Sequence, residues 1–578
     1  MNSRTFERLM QNVNRGLLGL ALAALLFLFL VYLIYAVALF SFPFDYDQGE
    51  GFELWDAELF SRGEWIYLDN ESYPFYSSNY APLFPLLLAP LVKVFGPKLW
   101  VGRVFSFLTT LVTGGTIFWI VRRETRDRAV ALLSGLTFFA ANIVYQVGPL
   151  CRLHMTMVMF GLLGVAFMAR LEDEEHGRRN LWLGMGFLLA AGYTKQLAFD
   201  AVAVGFAFFF LRRPKQALIY GAGFAAVTGL IFLFINVATD GQWWVNAITA
   251  NANPFIPGQT EALFKQWFRL YPVIILLAAG YAAWTLWVDR LNVYSLYFVA
   301  ATAKGVLSGK WGAGPGYFIS SITAACVCAG IGLGLLRRWM AQRAVQESPL
   351  AVRWRWAGLA LGAIVPLLFL YQARLNLHMP LNHALTRPVA QLFDLSSSTS
   401  YPYYVQAGDT LESISLAHDV ALEEFLAVNG LEAGSVITPT EKLFIPWPYY
   451  DSMGYTQLGH LPTAADTRAG WKIRDWVRAS SADGPTWSEE AMFTILAGQD
   501  VVVTNPTQLY NLANLDKLDV SAMVDMIYQR HFGLVIFRAQ FYPPPVLDAI
   551  GQNYDVVEHI EMNGFFYAIL RPRPREGG

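Results

Sequence analysis

Long runs of consecutive apolar residues, separated by short clusters of arginine, fill the first 375 positions of this chain. The first run, Leu17 to Leu39, is almost unbroken and long enough to cross a hydrocarbon layer of about 30 Å as a helix. It is too long for a signal-peptide core and lacks a small-residue cleavage site, so it is expected to be retained. Further runs fall near 99–121, 129–147, 150–169, 181–193, 196–211, 217–236, 271–288, 292–305, 316–336 and 356–373. The pattern predicts a polytopic α-helical membrane domain over residues 1–375 with about 11 transmembrane helices.

The polar breaks give an orientation, because Lys and Arg accumulate on the cytoplasmic side. Arg8 and Arg15, Arg122 to Arg128, Arg178 and Arg179, Arg212 to Lys215, and Arg337 to Arg343 fall at alternate breaks and share one face. An odd number of spans then carries a cytoplasmic N-terminus to an extracytoplasmic C-terminal region at a plasma membrane. The loop 42–98 lies outside as well, and its length exceeds that of a simple turn, which argues for function. Within it, Trp55–Phe60 and Leu83–Val94 fit amphipathic helices lying in the interface.

Beyond residue 375 the apolar density drops and alternation replaces it. Residues 402–447 read as strand, helix, helix, strand, with Gly408-Asp409-Thr410 opening the first helix and Asn429-Gly430 closing the second. Residues 455–578 alternate strand-like runs (501–504, 534–539, 556–560, 565–570) with helical ones (465–480, 520–531), which predicts a small α/β domain. That domain carries no phosphate loop, nucleophile elbow or zinc-protease motif, so it is assigned no chemistry.

Composition adds little to a pattern already this strong, although 55% apolar and 15% aromatic residues fit a membrane protein. A net charge of −2 gives no reason to expect nucleic acid. Cys151, Cys326 and Cys328 lie in or beside apolar runs, offer neither a disulfide framework nor metal spacing, and are read as packing residues. Asp200, alone in an apolar run, is read as a polar group satisfied by neighbouring helices.

The candidate chemistry is the carboxylate cluster directly after the first span: Asp45, Asp47 and Glu50, followed by Glu53 and Asp56. Cations at the outer ends of later spans accompany it, namely Arg152, Lys195 and Lys310, with His154 and Gln196 beside them and Tyr317 after the glycines that follow Lys310. Charges next to hydrocarbon are costly and are usually retained for a pathway or a site.

Two resemblances follow. The run Tyr404-Val405-Gln406-Ala407-Gly408-Asp409-Thr410-Leu411, with Asn429-Gly430-Leu431 and Leu443-Phe444-Ile445-Pro446, resembles the LysM module along its whole length. That resemblance implies binding of peptidoglycan or another N-acetylglucosamine-containing glycan, with Gly408, Asp409, Thr410 and Asn429 as candidate contacts. Pro439-Thr440-Glu441 departs from the usual Pro-Gly-Gln turn.

Residues 15–375 resemble the GT-C integral-membrane glycosyltransferases, in the branch of protein mannosyltransferases and the lipid A aminoarabinose transferase. The resemblance rests on the acidic motif after the first span, Tyr80-Ala81-Pro82-Leu83, Arg152-Leu153-His154, Tyr193-Thr194-Lys195-Gln196 and Gly309-Lys310-Trp311-Gly312. It implies transfer of a sugar from a polyprenyl-phosphate donor to a protein, lipid or glycan acceptor. A phosphate leaving group needs no protonation, so one carboxylate base and several cations suffice. Asp47 is the first choice for that base and Glu50 the second. Asp45, Arg152, His154, Lys195, Gln196, Lys310 and Tyr317 are expected to bind substrate. No metal-ligand set is evident in the sequence and no cofactor is assigned from it; a divalent metal stays open. The alternatives are a membrane transporter or flippase of a lipid-linked or polar substrate and a non-catalytic wall-binding scaffold.

Overall fold

A computed structural model describes residues 3–345, 350–456 and 459–574; the last positions of the expected C-terminal domain, 575–578, lie outside the described residues. Helices occupy all eleven predicted runs: Ser3–Ser41, Leu99–Thr125, Arg128–Ala140, His154–Met168, Gly177–Thr194, Phe199–Arg212, Pro214–Ala238, Pro272–Trp287, Val293–Lys304, Ile319–Val345 and Ala351–Leu375. Among the described residues, five helices are long and apolar enough to cross a membrane alone. A sixth crossing arises if Pro257–Leu270 and Pro272–Trp287, bent 94° at the break before Pro272, form one span. The expectation of about eleven spans therefore goes further than helix length supports. Arg128–Ala140, with 13 residues, rises only about 20 Å.

Packing explains the sequence of the innermost helix. Ile319–Val345 is rich in Ser, Ala and Gly and is almost wholly enclosed along its apolar stretch. A Cβ on Gly330 would sit 2.3 Å from Ser134 Oγ and 2.7 Å from Val121. Small residues here let helices approach closely, which in a bilayer replaces the hydrophobic drive between them. Pro214–Ala238 is the opposite case. It buries only Ala217 and Ile235 and exposes Leu218, Ile219, Leu230, Leu233, Phe234 and Val237, the surface of a helix that faces lipid on most sides. Asp200 is met by Lys304, Nζ to Oδ2 2.7 Å, with both side chains enclosed.

The long loop folds over one end of the bundle as two helices, Glu50–Arg62 and Leu83–Phe95. The first begins after Gly49 at φ 100° and stops at Gly63 at φ 82°, whose N–H donates to Leu59 O and Phe60 O. Glycine is favoured at both ends by the left-handed backbone.

The strand-helix-helix-strand module follows the predicted pattern, with strands Ser400–Tyr404 and Lys442–Pro446 paired antiparallel around Leu411–Ala417 and Leu422–Asn429. Thr410 caps the first helix reciprocally with Ser413. Thr440, at the variant turn, holds φ 70°. Thr440→Gly should therefore stabilise the module by about 1 kcal/mol, by relieving a left-handed residue that carries a Cβ; thermal unfolding of the two proteins checks this.

The C-terminal region is an α/β unit with a four-stranded sheet in the order Thr486–Ser488, Leu534–Phe537, Phe565–Pro572, Tyr554–Met562, the first pair parallel and the others antiparallel. The strand expected at 501–504 does not form. Val503 instead makes a single bridge to Phe75 in the long loop, so that segment is used to join the two regions.

The two-residue turn Asn563-Gly564, with φ 55° and 73°, is the favoured tight-hairpin pair, and its tip fixes the C-terminal region to the bundle. Asn563 Nδ2 donates to Tyr46 O at 3.0 Å, and its Oδ1 meets His460 Nε2 at 2.6 Å. Beside this contact Phe44 packs against Trp471 and Phe493. Trp447 stacks on His460 at 3.6 Å, tying the strand-helix-helix-strand module to the same surface.

Candidate active site

The acidic cluster divides into two environments. Glu50 is fully enclosed against Arg103, with Nε to Oε1 2.9 Å and Nη2 to Oε2 2.7 Å. Its oxygens also accept the N–H groups of Cys151 at 2.8 Å and Tyr46 at 3.0 Å. Burial alone would raise its pKa, but the Arg103 fork and these N–H groups hold it below the usual value. Arg103 spends its remaining donors on Leu39 O, Phe42 O and Phe44 O. This pair clamps the end of the first helix to the Leu99–Thr125 helix, and Glu50 lines neither of the two cavities described below.

Asp45 is likewise withdrawn. It accepts from Gly51 N and Met492 N, and burial, reinforced by Glu490 and Glu50, raises its pKa to about 8. Neither carboxylate presents a free oxygen to a substrate.

Asp47 is different. Its side chain is 32% exposed, and Oδ2 accepts from Arg152 Nε at 3.0 Å and Nη2 at 2.7 Å. Arg152 also donates to Gln48 O. Gly49 is required here twice over, since a Cβ would lie 2.7 Å from Arg152 Nη1.

Gln48, Gly49 and Arg152 form one wall of a polar cavity of about 210 Å³. Glu53 and Asp56, one turn apart on the Glu50–Arg62 helix, form a second wall, and Asn251, Asn253, Trp311 and residues 504–508 close it. Burial raises the Glu53 pKa to about 7 against the opposing pull of Arg152 and Lys195. Asp56 is raised well above its ordinary value by burial and by Glu53, with Ser78 Oγ donating to it at 2.8 Å.

Folded Glu53 thus binds a proton that the unfolded chain has released between pH about 4.5 and about 7. Stability should fall as pH rises through that window and then level off. Glu53→Gln is expected to remove this slope and to be more stable than the parent at pH 8 by about 1–3 kcal/mol, with little difference at pH 4.5; unfolding measured at both pH values checks it.

The other predicted cations come to the same place. Lys195 Nζ lies 3.0 Å from His154 Nε2 and 4.6 Å from the centre of the Tyr80 ring, which also lines the cavity. Burial lowers Lys195 to about 7, with Glu53 opposing and Arg152, Lys304 and Lys310 assisting. A lysine held near neutrality gains its full charge when an anion arrives. Lys310 Nζ donates to Asn251 O at 2.7 Å, and burial lowers its pKa too. Gln196 Nε2 reaches Asn79 O at 3.3 Å and Ala247 O at 3.4 Å, holding the cavity rim. Tyr317 lies near Tyr80. Among the described residues no three His, Cys, Asp or Glu side chains gather as a metal-ligand set.

A second cavity, apolar and about 610 Å³, opens beside the first between the loop helices and the bundle. Trp65, Pro82, Leu83, Leu86, Tyr193 and Ile231 line it. In the strand-helix-helix-strand module, by contrast, Asp409 is held by Tyr403 Oη and Gln406 N, and Asn429 pairs with the backbone of Phe444. Thr410 is a helix cap, and Gly408 is exposed at φ 94°.

Comparison with known proteins bears on this fold and on two segments of the chain. Residues 79–244 match the dolichyl-phosphate-mannose-protein mannosyltransferase family, and residues 403–446 match the LysM domain. Among solved structures the chain is similar to ArnT from Cupriavidus metallidurans in the apo state, with TM-score 0.54, 13% identity, and coverage of 94% of this chain and 97% of that one. It is also similar to the same protein bound to undecaprenyl phosphate, with TM-score 0.52, 15% identity and the same coverage. No individually curated protein sequence matches the chain.

Arg103 and residues 504–508 escaped the sequence reading, and Glu53 and Asp56 were noted in the acidic loop without being given a role in the site. An arginine inside the apolar run 99–121 was the available signal for Arg103, and the spacing on one helical face for Glu53 and Asp56. Nothing in the sequence placed 504–508 near the loop.

Proposed function

We propose that this protein is a membrane glycosyltransferase that moves a sugar from a polyprenyl-phosphate donor to an extracytoplasmic acceptor. One observation carries the reading: an apolar groove and a small polar cavity are lined by neighbouring residues of the same segments, with Arg152 in the cavity wall and Lys195 packed on the cavity-lining Tyr80. Tyr80 lines the polar cavity while Pro82 and Leu83, two and three residues on, line the groove; Tyr193 lines the groove while Lys195 packs on Tyr80. An amphiphile with a long apolar tail, one phosphate and one sugar matches that sequence of environments. The undecaprenyl phosphate bound to the similar ArnT structure is a lipid of this class.

In the proposed reaction the acceptor hydroxyl gives its proton to the Asp47 carboxylate as its oxygen bonds to the anomeric carbon. The bond from that carbon to the phosphate oxygen breaks, and the electron pair leaves with the polyprenyl phosphate. Arg152, Lys195 and Lys310 receive the added charge. Arg152 is the pivot, because it holds Asp47 in the free protein and is shared with phosphate once donor binds. Glu50 has the role of a clamp. The LysM module, which stacks Trp447 on His460, keeps the bundle's outer face close to peptidoglycan or a similar glycan.

Membranes containing the protein, given a radiolabelled polyprenyl-phosphate sugar and a cell-envelope extract, should pass label to a non-lipid or second-lipid acceptor. Movement of the labelled lipid between leaflets with no transfer of label would instead indicate a transporter and overturn the proposal.

A further inference from the structure

The polar cavity is closed on one side by the C-terminal region, to which the sequence assigns no chemistry. Thr504 N–H donates to Phe75 O at 3.2 Å, and Ser77 N–H donates to Thr504 Oγ1 at 2.8 Å. Ser77 Oγ donates to Gln508 Oε1 at 2.8 Å, Gln508 Nε2 to Asn246 O at 3.2 Å, and Asn511 Nδ2 to Asn253 Oδ1 at 3.0 Å. The segment is therefore stitched to two separate membrane-domain loops. Asn505, at φ 47°, turns the chain sharply before the Pro506–Asn514 helix and brings Thr507 to the cavity wall.

Thr504 and Gln508 spend their side chains on this stitching. Thr507 does not: its hydroxyl has no partner among the described residues, although it lines the cavity. On the cavity's membrane-domain side, Gln48 Nε2 is buried and also lacks a partner. A buried donor without an acceptor is costly unless something in the cavity satisfies it. The remaining lining includes the aromatic side chains of Trp311 and Tyr80, a residue type suited to the apolar face of a pyranose. At about 210 Å³ the space is smaller than the roughly 300–1,000 Å³ of drug-sized sites, which favours one sugar unit over a chain of them.

We infer that Thr507 and Gln48 bind hydroxyls of a single sugar unit in this cavity, which makes the C-terminal region part of the substrate site and a determinant of which sugar is accepted. The inference rests on the transferase reading above. The sugar belongs either to the donor or to a glycan acceptor, and the experiment separates the two.

Thr507→Val removes the hydroxyl at nearly constant shape, and Thr507→Phe fills the cavity; the position is partly open to solvent, and thermal unfolding confirms the fold. Binding of polyprenyl-phosphate mannose, glucose, galactose and arabinose is compared with binding of bare polyprenyl phosphate, and label transfer is measured in parallel. The wild type should prefer at least one sugar lipid over the bare lipid. Thr507→Val should lose about fivefold of that preference, as expected for one neutral hydrogen bond, and Thr507→Phe all of it, with affinity for the bare lipid unchanged. An unchanged donor preference with an acceptor KM raised about fivefold by Thr507→Val assigns the same contact to the acceptor sugar. If both variants leave donor preference and acceptor KM unaltered while label still passes, the inference is overturned and the transferase reading stands. If the wild type transfers no label from any donor, the transferase reading fails first.

Discussion

Asp47→Asn should lower the transfer rate by about 10²–10⁴-fold, the usual worth of a positioned general base, while leaving the protein folded. The asymmetry follows from the carboxylate's setting. It is partly exposed and its partner Arg152 has other acceptors, so its loss removes an ion pair of the kind worth only about 0–1 kcal/mol to stability. Donor affinity should hardly fall, because the variant keeps Arg152, Lys195 and Lys310 and frees Arg152 for phosphate. The check is a rate measurement at saturating donor beside a thermal unfolding curve; a variant that turns over at more than a tenth of the parent rate would remove Asp47 from the role of base.

Arg103→Met should do the reverse, costing about 3–5 kcal/mol of stability by leaving the Glu50 carboxylate buried without its counter-charge. Five donors of one guanidinium hold Glu50 and three carbonyls at the end of the first helix, so the loop that carries Asp47 should lose its anchor as well. The double variant Arg103→Met with Glu50→Leu should recover much of the lost stability, because an apolar pair of similar volume avoids the desolvation cost of the ion pair. Unfolding midpoints of the single and double variants in detergent decide this. A stable, fully active Arg103→Met protein would show that Glu50 is not a clamp and would return it to the list of catalytic candidates.

What could be read in advance was whatever depended on neighbours along the chain. The LysM module was legible because its caps, turn glycines and alternating strands are local, and the loop helices because Trp55–Phe60 and Leu83–Val94 carry their own apolar pattern. The gathering of Arg152, Lys195 and Lys310 was legible because each sits at the same end of a span. Long-range pairing was not. Glu50 and Asp47 look alike in sequence, and only the distant Arg103 and Arg152 separate a buried clamp from an open carboxylate. Residues 501–504 have the composition of a strand, yet their backbone is used by Phe75, more than 400 positions away. Span number is not settled by the helices alone for a related reason: apolar runs of 13 to 15 residues are helices, but their length alone does not carry them across a bilayer.

The central claim is that a lipid-borne phosphate sits where the apolar groove meets the polar cavity, within reach of Asp47. An experimental structure with bound polyprenyl phosphate tests it most directly. The account predicts phosphate oxygens within hydrogen-bond distance of Arg152 and Lys195, the tail along Leu83, Leu86 and Tyr193, and Asp47 facing the vacant cavity. Phosphate density at the opposite end of the bundle, or a tail that avoids this groove, would contradict it.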